Sequence, residues 1–268
     1  MPSGFRRWNC SETGAEMADS EVLARVVAQV AAAKNELDAY PPAGFGWFER
    51  ALGSVRILVP WLIEEAPALR TYVEEVLNSP SLLRTAWAQM RPTVKSPAEV
   101  LRIDELLDRE AVLLKFVAGD TVSVVVTGHL VARYPNGALA GNSKSDYPDV
   151  FIRTLDYSGL PVRNRKDKEI GAAIRGTLRN PVRVPDGLEI KTARNGASID
   201  CHYPHVGLHL MLSFVTTGDR VVVDDVLVSF LRKENYRIAS RKTEATTVKA
   251  PFGRSSFISL LPRPEVNE

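Results

Sequence analysis

From Ser20 onward the apolar positions recur at helical spacing. Val22, Leu23, Val26, Val27 and Val30 fall on one stripe, with Asp19 or Ser20 placed to cap it. Pro41-Pro42-Ala43-Gly44 closes that helix. A second helix, rich in large apolar groups (Phe45, Trp47, Phe48, Leu52), is predicted from about Phe45 to Val59. Pro60 and Pro67 punctuate the next stretch, and Leu69–Leu77 reads as a further helix. Ser79-Pro80 opens a short helix running through Trp87 to Met90, with proline in its first turn. Ser96-Pro97-Ala98-Glu99 has the form of a capping box. It predicts a helix to about Val117 with Val100, Ile103, Leu107 and Leu114 inward.

At Gly119-Asp120 the pattern changes. Thr121–Val126 is a β-branched run that predicts a strand, and strands are expected to dominate from there. After the loop at Pro135-Asn136-Gly137 and a small polar stretch from Gly141 to Asp146, a strand is predicted over Val150–Leu155. Residues 161–187 surround one helical segment, Glu169–Leu178, with basic residues. Then comes Leu188-Glu189-Ile190-Lys191-Thr192-Ala193-Arg194, a short strand with an unusual face. Side chains alternate along a strand, so Glu189 and Lys191 share one side while Leu188, Ile190 and Thr192 share the other. Leu208–Val215 and Val221–Phe230 read as a hairpin, and Thr243–Leu261 as further strand divided at Pro251-Phe252-Gly253. The chain therefore divides into a loose tail over 1–16, a helical region over 17–118 and a strand-rich core over 119–268.

Composition adds little until it is split along the chain. The whole carries a net charge of +2, but residues 1–118 hold 13 Lys/Arg against 16 Asp/Glu, whereas residues 119–268 hold 21 against 16. The basic excess lies with the Glu-x-Lys strand and suits a polyanionic partner. Cys10 and Cys201 make no disulfide framework and have no zinc-ligand spacing. A reducing, cytoplasmic interior is the expected compartment. No apolar run is long enough to span a membrane, and Met1–Glu16 lacks the apolar core of a signal peptide.

An acid and a lysine side by side on an apolar strand are costly unless each has a partner or a task. Tyr147-Pro148-Asp149 supplies a second acid at the start of another apolar strand. Two converging carboxylates suit Mg²⁺, which prefers oxygen ligands, and a lysine beside them suits the orientation of an attacking water. Asp149 and Glu189 are the predicted ligands, with the main-chain carbonyl of Ile190 between the last two members of the motif. Pro185-Asp186 ranks second as the partner acid, because it lies in a tight turn against Glu189.

Pro148-Asp149 followed by Glu189-Ile190-Lys191 resembles the PD-(D/E)xK nuclease superfamily, most of all its type II restriction endonucleases. That resemblance implies an α/β (α+β) fold, with a restriction-endonuclease-like mixed central sheet flanked by helices and the all-helical region ahead of it. In that family the Asp opens the second strand and the Glu-x-Lys lies on the third. The implied activity is Mg²⁺-dependent, sequence-specific cleavage of double-stranded DNA by a homodimer, leaving 5′-phosphates. Asp149, Glu189 and Lys191 would be catalytic, and Glu110 or Glu105 is the positional match for an additional acid on the preceding helix. The gap of 40 residues from Asp149 to Glu189 is long for the family and makes residues 161–187 an insertion.

Arg163, Arg165, Lys166 and Lys168 are the expected phosphate-gripping members of that insertion. Arg194, Asn195, Ser198 and His202 come directly after the motif and are expected near DNA. Arg232, Lys233, Arg237, Arg241 and Lys242 form a second basic cluster. His202, His205 and His209 cross a proline and a glycine, so they do not form a helix-face metal site, and the four Trp are expected in the core or an interface. A repair or mobile-element nuclease of the same superfamily, or a catalytically silent DNA-binding module, would use the same residues.

Overall fold

In a computed structural model of the chain, the residues described are 12–93, 97–108, 120–135, 138–141, 148–153, 155, 184–194, 198–201, 205–217, 220–238, 248–251 and 256–261. Six α-helices are described: α1 (Glu12–Ala32), α2 (Lys34–Asp38), α3 (Trp47–Leu77), α4 (Pro80–Met90), α5 (Pro97–Asp108) and α6 (Asp120–Arg133). The described strands are nine: β1 (Leu139–Gly141), β2 (Val150–Ile152), β3 (Leu188–Arg194), β4 (Ser198–Cys201), β5 (Gly207–Thr217), β6 (Arg220–Leu231), β7 (Arg237–Ile238), β8 (Val248–Pro251) and β9 (Ile258–Ser259).

Two expectations about the helices are corrected, the second in the region expected to be strand-rich. The first concerns the prolines. Pro60 and Pro67 do not divide the second region; α3 runs through both as one helix. Its buried stripe, Ala51, Val55, Leu58, Leu62, Ala66, Leu69, Val73 and Val76, keeps helical spacing from end to end. Each interior proline costs about 3 kcal/mol, which burial of these apolar side chains, each worth roughly 1.5–3 kcal/mol for the larger ones, outweighs. The second correction is α6. Thr121–Val126 is helix, not strand, because Val122, Val125, Val126 and Leu130 form a buried helical stripe. Tertiary packing on α3, α4, β1 and β3 overrides the β-preference of the individual valines. At the N-terminus α1 begins at Glu12, inside the expected tail; residues 1–11 lie outside the described residues. Ser79 caps α4 as expected, accepting from Leu82 N at 3.4 Å.

The main sheet has six strands in the order β1-β2-β3-β5-β6-β9, and a smaller one has the order β4-β8-β7. The fold is thus mixed α/β. β1–β2, β2–β3, β5–β6 and β6–β9 are antiparallel, while β3 and β5 run parallel over all seven residues of β3. One face, carrying Leu188, Ile190, Leu208, Leu210, Leu212, Val226, Val228 and Phe230, shares a single core with α1, α3 and α6. Alternation sends Glu189, Lys191 and Ala193 to the opposite face. There Ala193, Met211, Leu231 and Phe257 form a second, smaller cluster.

Helix side chains complete the edge of β6 where β9 leaves it unpaired. Gln29 Oε1 accepts from Phe230 N at 2.8 Å, and Glu74 Oε1 accepts from Val223 N at 2.8 Å. Asn78 exchanges both bonds with Val221, at 2.8 and 2.7 Å. Backbone groups that would otherwise template aggregation or stay unsatisfied are thereby paired. Below β3, Arg50 of α3 donates to the fully buried Asp186 at 2.7 Å, and Ser54 donates to the Asp186 carbonyl at 2.7 Å. These bonds fasten the turn into β3 onto α3. Arg50→Ala is expected to lower the unfolding free energy by about 3–5 kcal/mol, because it strips the guanidinium from a buried carboxylate. Arg50→Met with Asp186→Asn should recover most of that loss in urea denaturation; a single-variant loss below about 1 kcal/mol would contradict this role.

Candidate active site

β2 and β3 pair at Val150 and Leu188 and then diverge. Gly187 allows the close approach there: a Cβ at this position would collide with Pro148 and lie 2.7 Å from the Val150 carbonyl oxygen. The fork beyond the pair is filled by two carboxylates that brace it crosswise. Asp149 N donates to Glu189 Oε2 at 3.2 Å, and Ile190 N donates to Asp149 Oδ2 at 2.7 Å. Lys191 Nζ donates to Glu189 Oε1 at 2.5 Å. Asp149, Glu189 and Lys191 therefore meet at one point, although 40 residues separate the first two in sequence. In a strand the N–H and C=O of one residue point to the same side. The Ile190 carbonyl thus faces the fork along with the amide that holds Asp149.

Glu189 is not an ordinary exposed sheet residue, being only 2% exposed. Burial pushes its carboxyl pKa up, to about 8, and the charge of Asp149 adds to the shift. Lys191 and the amide of Asp149 oppose it. Two carboxylates against one ammonium leave a local deficit of positive charge. Their oxygens, with the Ile190 carbonyl, are hard donors of the kind Mg²⁺ selects. The donor set therefore fits the implied metal. Among the described residues, no cluster of three or more His, Cys, Asp or Glu suits a metal ion, so within that set this pair and the carbonyl are the donors at the fork.

His209 was not expected in this neighbourhood. The parallel register sets it beside Glu189, and it is fully buried. Its Nδ1 lies 2.8 Å from the Gly207 carbonyl, and Tyr236 Oη lies 3.1 Å from its Nε2 and 2.8 Å from the His205 carbonyl. Burial, with a smaller push from Lys191, lowers its pKa to about 3, so the imidazole is neutral. The pairing of β3 with β5 that places it spans a crossover, which no local pattern announces.

The remaining predicted residues are spread. Glu105 is exposed on α5, and α6 intervenes between that helix and β1. Arg194 ends β3 and Ser198 opens β4. Glu110, Arg163, Arg165, Lys166, Lys168, Asn195 and His202 lie outside the described residues, as does the segment Glu169–Leu178. Asp186, the second-ranked acid, is paired with Arg50 of α3. Sequence reading also missed Glu65 and His129: Glu65, buried in α3, lies 2.7 Å from His129 Nε2 and pairs with Arg133. The helical stripe of α6 signals the place of His129 beside Val125 and Val126, but not its pairing with Glu65. No protein-family model matches this chain, and no curated protein or solved structure is significantly similar to it.

The raised pKa of Glu189 makes stability depend on pH. The unfolded carboxyl has the ordinary value of 4.5 and the folded one about 8, so folding takes up a proton in between. This contribution is fully present below 4.5 and is lost as pH rises through about 8. Metal-free Glu189→Gln should therefore lose less stability than the parent between about pH 5 and about pH 8 in urea titrations. Parallel pH profiles for the two proteins would contradict the assignment.

Proposed function

We propose that the chain is a Mg²⁺-dependent endonuclease of the type II restriction class, acting on double-stranded DNA as a homodimer. The observation that carries this reading is the convergence of Asp149, Glu189 and Lys191 at the β2–β3 fork. Two further features support it. The acid stands at the start of the second strand of the main sheet, and the Glu-x-Lys lies on the third, as in the PD-(D/E)xK arrangement with its mixed sheet. The strand-rich half of the chain also carries the basic excess that a polyanion requires.

Asp149, Glu189 and the Ile190 carbonyl would hold the metal. When bound, Mg²⁺ supplies charge neutralisation at the phosphoryl oxygens and acidifies water. Lys191, fixed by Glu189, orients the attacking water by donating to its oxygen and places positive charge where negative charge builds. Attack at phosphorus with rupture of the bond to the 3′-oxygen leaves a 3′-hydroxyl and a 5′-phosphate. The backbone bonds that brace the carboxylates hold them at fixed positions before substrate arrives, which limits reorganisation during the reaction.

Incubation of the purified protein with mixed DNA and Mg²⁺, then sequencing of the ends, tests the proposal. Discrete cut sites bearing 5′-phosphates are expected, with no cleavage in EDTA. Asp149→Ala, Glu189→Ala and Lys191→Ala should each lower the rate by about 10²–10³-fold or more. Metal-independent cleavage, or cleavage unaffected by all three changes, would refute the site. Duplex binding without cutting would favour the silent DNA-binding module, and scattered, sequence-independent ends the repair or mobile-element nuclease.

A further inference from the structure

A cavity of about 580 Å³ lies between α3, α4, α6 and the strands β1 and β2, and Asp149 forms part of its wall. Its volume falls within the range of small-molecule sites, about 300–1,000 Å³. The mouth opens to solvent among exposed residues: Gln89, Ala132, Arg133, Gly141 and Arg153. The floor is buried, small and apolar, formed by Ala86, Val124, Val125 and Ala140.

Between mouth and floor stands an aromatic wall. The Tyr72 and His129 rings lie 4.5 Å apart, tilted by 31°. Glu65, only 7% exposed, fixes the wall from behind through His129 Nε2, and its bond to Arg133 draws that guanidinium to the mouth. A buried carboxylate is costly, and here its two partners are both cavity-lining residues of α6. Arg153 is likewise held, its Nε donating to the Leu139 carbonyl at 3.2 Å.

These features describe a guest. Its body is flat and apolar enough for the floor, with an aromatic face for Tyr72 and polar edges for the Gln89 amide. Its attachment is anionic, for the guanidinium groups of Arg133 and Arg153. It reaches the cavity beside Asp149, the acid placed at the hydrolytic site. Within a duplex a base is stacked and presents no face to a protein pocket; only a base turned out of the stack does so. We propose that this cavity receives one nucleotide of the bound DNA, turned out of the duplex next to the phosphate that is cut. The proposal rests on the nuclease reading above and names the state of its substrate.

The test uses the full chain and the cut site defined by end sequencing. Duplexes carrying 2-aminopurine at each position flanking the cut are bound to the Lys191→Ala protein, in which cutting is slow. Extrusion from the stack raises the fluorescence of this base. A clear rise is expected at a position adjoining the scissile phosphate. Ala132→Trp and Gln89→Trp, on two different helices and both at the exposed mouth, fill the cavity without touching the core. Each should abolish the rise in the Lys191→Ala background. In the wild-type background each should slow cleavage by about tenfold or more, the worth of one lost base contact. Thermal melting and metal uptake should stay as in the parent, which separates blockage from misfolding. Wild-type cleavage with no brightening at any position, or brightening and cleavage unchanged in both Trp variants, would overturn the cavity proposal while leaving the nuclease reading intact. Absence of metal-dependent cleavage by the wild type would instead overturn the nuclease reading, and this inference with it.

Discussion

The molecule depends on a fork between two strands. β2 and β3 touch at Val150 and Leu188, where only a glycine at 187 fits, and then part. Parting strands leave backbone amides unpaired, and unpaired buried amides are costly. Here the side chain of Asp149 takes the amide of Ile190, and the side chain of Glu189 takes the amide of Asp149. The same two bonds that satisfy the backbone bring two carboxylates together against their mutual repulsion. Lys191 offsets part of that repulsion; burial, together with the remainder, raises the pKa of Glu189. A structural requirement and a chemical one are thus met by the same atoms. A divalent cation would relieve what the lysine does not.

The rest of the fold holds this fork still. The apolar face of the sheet is covered by α1, α3 and α6, which share its core. Arg50 and Ser54 of α3 grip the turn that leads into β3. Gln29, Glu74 and Asn78 complete the far edge of β6 with side chains from α1 and the end of α3. The parallel pairing of β3 with β5 sets the neutral His209 against Glu189, so the charged face of β3 is flanked by a group that adds no charge of its own. On the other side of the fork, α6 and α4 leave an open cavity whose wall includes Asp149.

Much of this was legible in the chain, and the failures have physical causes. The strand Leu188–Arg194, the β5–β6 hairpin, the capped α4 and the Asp149–Glu189–Lys191 grouping come from local patterns: alternation, a turn signal, a Ser-Pro cap and the pairing of acids with a lysine. The two misread segments share one cause. Proline and β-branched residues carry strong local preferences, yet in α3 and α6 a continuous buried stripe prevails over them. Weighting the stripe above those preferences would have found both helices. His209, Gly187 and the Glu65–His129 pair were not readable by any such rule. Their roles arise from register across a crossover, from the approach of a strand 37 residues away in sequence at Val150, and from packing between helices 64 residues apart.

In the reading proposed above, Asp149 and Glu189 form one cation site. Calorimetric titration of the chain with Mn²⁺, which takes the same hard oxygen ligands as Mg²⁺, tests it without reference to any substrate. Saturable binding by the parent protein is expected, lost in both Asp149→Asn and Glu189→Gln, with each variant still folded. Equal binding by the parent and both variants, or no binding by the parent, would contradict it.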